Sequence, residues 1–455
     1  LDEKATKLDV RYTVEGTLWK RGDMFQLSVE LYDTKDKKVV WSDRWQENWD
    51  NLPTIKGSLS DGLLKALDIN SKIEKSIESD NAEAYELYLR AKYAYKNRKG
   101  EEDILITRDL LNQAIILDDT LRVAKHLLGI TYANMGTIND NEMALKIYMN
   151  NLEQAKTSND KNAMSSALHM IAYTLSIEDI DEAQKYNLRS LKISEELNDK
   201  EKLMKTINNI GNFYRSKGNY SEALKYYLRS KKIGEALEDT YSLGYPKWNI
   251  GCIYLQCVQY DKALIIFNET MIESKQVNNR DVIARIYNSI GQILCNLGNY
   301  KEATEKFKHS LVIREQLGYK PAIEALNYWI GRSYYHQNNY DKAIKYFNKA
   351  NKVHEELGYN DPQDALDNII HLQLIYKLKE TSHNSMDIIE LINQVPNLDS
   401  YLNYCIYQLL EDTKYLETSF IQIKEEADNL EPDVKAKFLS YPIPKAIVEE
   451  WEKVK

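Results

Sequence analysis

The chain has 455 residues, with 60 Lys plus Arg against 69 Asp plus Glu, a formal net charge of -9. That acidic balance excludes a surface that grips polyanions at large, so nucleic acid is not an expected partner. No apolar run reaches the ~18 residues of a membrane span and no secretory leader opens the chain, which leads us to expect a cytoplasmic protein. Leu1 stands where a Met would begin a gene product, so the sequence reads as a piece of a longer polypeptide. The cysteines Cys252, Cys257, Cys295 and Cys405 show neither zinc-ligand spacing nor a disulfide framework and read as reduced core or groove residues.

Taken in order, residues 1–70 have the texture of strands. Val10, Tyr12, Val14, Gly16 and Leu18 alternate with polar residues, as do Phe25, Leu27, Val29 and Leu31, and Val39-Val40-Trp41 with Trp45 makes a third run. Three antiparallel strands follow, joined by turns at Lys20–Asp23 and Thr34–Lys37. Arg21-Gly22-Asp23 reads as a tight turn, not as an adhesion motif. Leu52, Ile55, Leu59, Leu63 and Leu67 predict a helix over 51–67, and the charged stretch 71–80 reads as a linker. Helix pairs occupy 81–358, degenerate at first. Beyond 359 the periodicity fails, and helical stretches ending near Tyr441 predict a carboxyl-terminal cap over 359–455.

The regular part, about 200–358, repeats itself every 40 residues. Ile210, Ile250, Ile290 and Ile330 each precede Gly211, Gly251, Gly291 and Gly331; Ala223, Ala263, Ala303 and Ala343 recur further on, followed by Tyr227, Phe267, Phe307 and Phe347. A fixed period of this length marks a solenoid. Glycine and alanine remove side chains where antiparallel helices approach closely, and the aromatic column fills the space left.

The stretches IGNFY, IGCIY and IGRSY, with NYSEALKYY, QYDKALIIF, NYKEATEKF and NYDKAIKYF, resemble the tetratricopeptide repeat, whose pattern is apolar-Gly-x-x-Tyr on a first helix and Ala-x-x-x-Phe on a second. The period exceeds that repeat's usual ~34 residues, and the extra residues follow the alanine column, which predicts longer second helices. The resemblance implies a mostly α fold, an α-solenoid of about seven helix pairs. In addition, VRYTVEGTLWKRGDMFQLSVELYDTKDKKVVWSDRWQ is similar to part of the small α/β module, related to the amino-terminal domain of TolB, that precedes such repeats in bacterial class III adenylate or guanylate cyclases. This second resemblance implies the sensory or regulatory tail of a signalling protein, its catalytic part lying outside the sequence.

By resemblance, residues six and three before the repeat glycine, and one and four after it, line the concave face. They are Lys205, Asn208, Asn212 and Arg215; Tyr245, Trp248, Cys252 and Leu255; Arg285, Asn288, Gln292 and Cys295; Ala325, Tyr328, Arg332 and Tyr335. With Asn249 they make a stripe of cations, amides and aromatics without a carboxylate. Asparagine can bond both the N–H and C=O of an extended peptide, and Arg or Lys can take an acidic group or terminal carboxylate. Asn212 and Asn249 match the asparagine positions of the carboxylate-clamp repeats, but Asn208 stands where that clamp has lysine.

No GxxxxGK[ST], Rossmann glycine cluster, HExxH or GxSxG is present, and the histidines, among them His336, His371 and His383, are scattered. The chain itself is therefore expected to be no enzyme and to need no cofactor or metal. Its expected partner is a protein or peptide segment. A peptide receptor of the quorum-sensing type and a scaffold that forms homo-oligomers through its repeats are the alternatives.

Overall fold

The computed structural model describes residues 12–22, 24–48, 59, 81–176, 178–358, 362–380, 385–395 and 397–455, with side chains described only from 366 and from 388 in the helices that begin at Pro362 and Ser385. Apart from Leu59, the predicted helix over 51–67 and the linker over 71–80 lie outside the described residues. So do Val10, Asp23 and His383. The chain divides into two compact units, Leu1–Arg98 with Glu102–Thr131, and Lys99–Glu101 with Tyr132–Lys455.

In the first unit the alternating runs form β1 (Tyr12–Arg21), β2 (Met24–Asp33) and β3 (Lys38–Asn48), an antiparallel sheet in the order β1-β2-β3. Gly22 takes φ +59° in the first turn, which supports the turn reading of that triplet. Phe25, Val29 and Leu31 of β2 are buried, while Val14 and Leu18, which pair with Leu31 and Leu27 on the same face, stay exposed. The apolar face of the sheet is thus covered at β2 and uncovered at β1. Next come α1 (Ala82–Lys96), α2 (Glu101–Leu117) and the start of α3 (Arg122–Met135). Asn81 caps α1 by accepting from the Ala84 N–H at 3.1 Å, and Arg108 of α2 donates to the Thr131 carbonyl at 2.9 Å.

The second unit continues with α4 (Ile138–Thr157), α5 (Lys161–Leu175) and α6 (Ile180–Leu197). The regular pairs follow: α7 (Lys200–Ser216) with α8 (Tyr220–Leu237), α9 (Thr240–Gln256) with α10 (Tyr260–Gln276), α11 (Arg280–Asn296) with α12 (Tyr300–Leu317), and α13 (Lys320–His336) with α14 (Tyr340–Leu357). Two expectations need correction. First helices have 17 residues and second helices 17 or 18, so both are lengthened rather than the second alone. In the degenerate second pair, Gly129 and Ala144 stand 15 residues apart rather than 12, a spacing that predicts a longer turn, yet the extra residues extend α4 to 20 residues instead.

The repeat columns do what their sizes suggest. Ala223, Ala263, Ala303 and Ala343 are fully buried, as are Tyr227, Phe267, Phe307 and Phe347. A Cβ on Gly291 would stand 2.5 Å from the Phe307 ring, and one on Gly211 2.5 Å from the Tyr227 ring. Asp199, Asn219, Asp239, Asn279 and Asn339 cap the helices that follow them, each accepting a backbone N–H three residues on. Turns between paired helices need positive φ: Gly218, Gly298 and Asn338 supply it, and so does Val258 at φ 58°, which a β-branched residue adopts only under strain.

The predicted cap is helical: α15 (Pro362–Leu378), α16 (Ser385–Gln394), α17 (Ser400–Leu410), α18 (Thr413–Asp428), α19 (Pro432–Ser440) and α20 (Pro442–Val454). The last lies beyond the stretches singled out in the sequence and starts at Pro442, and at the start of a helix proline is at home. Helices α15 to α17 share an apolar core with Tyr335. Helices α19 and α20 reach back along earlier turns. Phe438 and Ile447 cluster with Val258, the Tyr441 and Tyr260 rings stack at 5.4 Å, and Pro442 lies against Gly298. Gly136, in the α3–α4 turn, likewise meets Pro321 at the start of α13, so close that a Cβ there would be 2.6 Å from the proline ring.

Candidate functional site

The stripe residues fall on α7, α9, α11 and α13, and hydrogen bonds run across it from helix to helix. Asn249, only 2% exposed, donates through Nδ2 to Asn208 Oδ1 at 3.0 Å and accepts weakly from Arg215 at 3.4 Å. Asn212 accepts from the Tyr227 hydroxyl at 2.8 Å. Trp248 lies between two guanidinium groups, 5.7 Å from Arg215 and 4.8 Å from Arg285, and its Nε1 donates to Ser289 Oγ at 3.1 Å. A tryptophan face attracts cations on both sides. Tyr245 sits beside Arg285 at 6.0 Å. Cys252 and Leu255 are buried, and burial pushes the Cys252 thiol up.

Two cations of the stripe are already paired. Lys205, exposed, bonds Glu201 at 2.5 Å. Arg285 bonds Asp281 at 2.7 Å, and the same carboxylate takes the nearly buried Arg314. Burial alone would raise the Asp281 carboxyl, but the two guanidinium groups outweigh it and hold it well below the usual range. Asp281 was missed when the stripe was taken as one face, although an Asp four residues before an Arg on a helix signals such a pair. Arg215 is different: among the described residues no carboxylate lies within 4 Å of it.

One turn along, Asn288 and Gln292 are half-buried. Asn288 Oδ1 is cut off from solvent and bonds nothing. Leaving such an acceptor unmet costs about 1–3 kcal/mol.

At α13 the stripe changes character. Arg332 stacks 3.6 Å from the centre of the Tyr401 ring of α17 and 4.8 Å from Trp329. Tyr335 belongs to the core shared with α15 to α17, and Tyr328 meets His371 of α15 edge-on at 5.6 Å. His371 Nδ1 lies 2.7 Å from the Asp367 carbonyl and must donate to it, which leaves Nε2 to accept from the Tyr401 hydroxyl at 3.0 Å. That hydroxyl oxygen in turn accepts from His336 Nε2–H at 2.9 Å. Burial and the nearby Arg332 push His336 well down, and burial holds His371 at about 3. Leu402, Cys405, Ile406 and Leu409 anchor α17 in its core. Tyr328, Arg332 and Tyr335 are therefore joined to the chain's own carboxyl-terminal helices. The helical pattern near 400 gave no sign that Tyr401 would reach them. Ala325, the first of that set, is exposed.

Among the described residues no cluster of three or more His, Cys, Asp or Glu could hold a metal, and no helix is long and apolar enough to cross a membrane. Two shallow hollows, of about 230 and 300 Å³, lie at the outer ends of helices near Lys320 and Lys161, away from the stripe.

No curated protein matches the chain in sequence. Family models described as tetratricopeptide repeat match residues 203–238 and 282–356. Among solved structures, the chain is similar to a Rap protein complexed with Competence and Sporulation Factor, at 16% identity and a TM-score of 0.51, over 66% of this chain and 80% of that one. It is also similar to the Rap conjugation gene regulator of the plasmid pLS20 in complex with the Phr* peptide, at 12% identity and a TM-score of 0.52, over 68% and 86%. At such identities the likeness is one of fold. Period, packing and family match agree that this chain carries tetratricopeptide repeats, built into an α-solenoid with a small amino-terminal sheet and a helical carboxyl-terminal cap.

Proposed function

We propose that this chain is a non-enzymatic module that binds an extended protein or peptide segment along the part of the stripe running from Asn208 to Gln292. The observation that carries the reading is Arg215, a cation over the Trp248 ring with no carboxylate partner among the described residues. A backbone C=O of the ligand would accept from the amide N–H groups of the half-buried Asn288 and Gln292, and an acidic side chain or terminal carboxylate would meet Arg215 next to Trp248. Arg332, Tyr328 and Tyr335 are assigned to the joint with α17 and not to the ligand, which shortens the stripe expected from sequence.

The solved structures of similar fold hold the Competence and Sporulation Factor and the Phr* peptide, and the latter favours a peptide receptor of the quorum-sensing type within this reading. The wider setting we propose, a sensory or regulatory tail of a bacterial signalling protein such as a nucleotide cyclase, working in the cytoplasm, rests on the sequence resemblance of the stretch from Val10 to Gln46.

The test is a selection from random eight-residue peptides with free carboxyl ends, followed by fluorescence anisotropy of the winners. Arg215→Ala and Asn288→Ala are each expected to weaken binding by about 1.5–3 kcal/mol, roughly 10- to 150-fold in Kd, and Arg332→Ala to do so only through stability. Selected peptides that bind both stripe variants as tightly as the parent would remove the stripe from the reading.

A further inference from the structure

Among the described residues of the first unit, no strand covers the outer edge of β1. Strand β1 is exposed along nearly its whole length, and its outward residues are not those of a protected edge: Val14 is 53% exposed, Leu18 55% and Trp19 60%. Long, apolar, unbulged edges invite another strand; protected ones carry prolines, bulges or inward charges. No proline or bulge interrupts Tyr12–Arg21, where the β1–β2 register runs without a shift, and the one charge on the core-facing side, Lys20 opposite Phe25, stands at the turn end of the strand.

The backbone says which residues would bond a newcomer. Arg21 and Met24 close a two-residue turn, and in such hairpins the closing pair exchanges both hydrogen bonds. The odd-numbered residues of β1 therefore bond β2, while Val14, Gly16, Leu18 and Lys20 direct their N–H and C=O to the open edge.

Charge then selects the occupant. Glu15 stands directly opposite Glu30 of β2, and like charges facing each other across a ladder destabilise it. No ion pair within 4 Å is formed by either among the described residues. A cation on the far side of β1 would relieve Glu15. If a second β1 is laid antiparallel about Leu18, Leu18 meets its own copy, Gly16 meets Lys20, Thr17 meets Trp19, and Glu15 meets Arg21 twice over. A shift of two residues either way loses the ion pair.

We infer that β1 is a self-pairing edge, through which two copies of this chain join their sheets into one continuous six-stranded sheet centred on Leu18. The partner is a second copy because the strand's own sequence supplies the complement to Glu15, in the register that also buries Leu18.

Light scattering after gel filtration of the 455-residue chain, at concentrations from 1 to about 100 μM, tests this, with Glu15→Arg, Arg21→Glu and the double exchange as variants. The expected result is a dimer that either single reversal weakens at least tenfold and the double exchange restores. Both residues are exposed, and circular dichroism confirms that each variant is folded. Amide exchange gives a second readout: Val14, Gly16 and Leu18 should become protected only at dimer concentrations. A parent that stays monomeric overturns the inference. So does a dimer indifferent to the single reversals, as contact through the repeats would give, or one that the double exchange fails to restore.

Discussion

At Gly291 a single missing carbon sets how closely α11 and α12 can pack. The nearest neighbour of that carbon would be an aromatic ring with nowhere to go, since Phe307 is itself fully buried. Gly291→Leu is expected to lower stability by about 1–3 kcal/mol through overpacking, read as a drop in urea midpoint at unchanged slope; an unchanged midpoint would mean the crossing is looser than described. Such columns were legible because size is written directly in residue type. Asn288 was legible only halfway: its place on a face followed from spacing, but whether its amide was satisfied depended on neighbours from other helices. Val258 was not legible at all. A turn that is glycine in two units and asparagine in a third predicts no valine, and the reason lies far along the chain, where Phe438 and Tyr441 pack on it. Contact with those rings offsets a left-handed backbone costing about 1–2 kcal/mol.

Among elements, the joint of α13, α15 and α17 is the most sensitive to pH. His336 and His371 are held neutral in the folded chain, yet take up protons at their ordinary 6.5 once unfolded. Stability from these two is full above that value and is lost as pH falls below it. Asp367 opposes them: burial and the neighbouring Asp399 raise its carboxyl to about 6, so the folded chain binds its proton first and gains stability as pH falls from 6 toward the ordinary carboxylate range. Arg332, Tyr328, Tyr401 and Cys405, the other polar groups in the joint, keep their protonation over this span. Two protons against one leave a net loss of about 1.4 kcal/mol per pH unit below 6. Urea titrations at pH 7, 6 and 5 should show the decline, steepened in Asp367→Asn and flattened in His371→Asn; parallel curves for all three would place the titration elsewhere. None of this could be read from the sequence, where His336, His371 and Tyr401 are separated by tens of residues without a motif.

For the whole molecule, the periodic middle gave away its packing as well as its elements, whereas the two ends gave away only their elements, three strands and a helical cap. Four nearly identical units share their columns, whereas the cap has no period from which to infer that α19 and α20 lean back on the turns at Val258 and Gly298. We propose that signalling works through a change of curvature when the stripe is filled, and Gly136 against Pro321 limits what that change can be. These residues, some 185 positions apart, already touch, with no room for another carbon between them. At that place the coil resembles a spring at rest with its turns in contact: it can be stretched but not squeezed. Binding in the stripe should therefore lengthen the distance between dyes placed by Glu142→Cys and Ala325→Cys in a Cys257→Ser background, and a shortened distance on adding a selected peptide would rule out this stop. A sensor with such a stop has a fixed resting state, so a ligand can report its presence in one direction only, and thermal fluctuation in the other is silent.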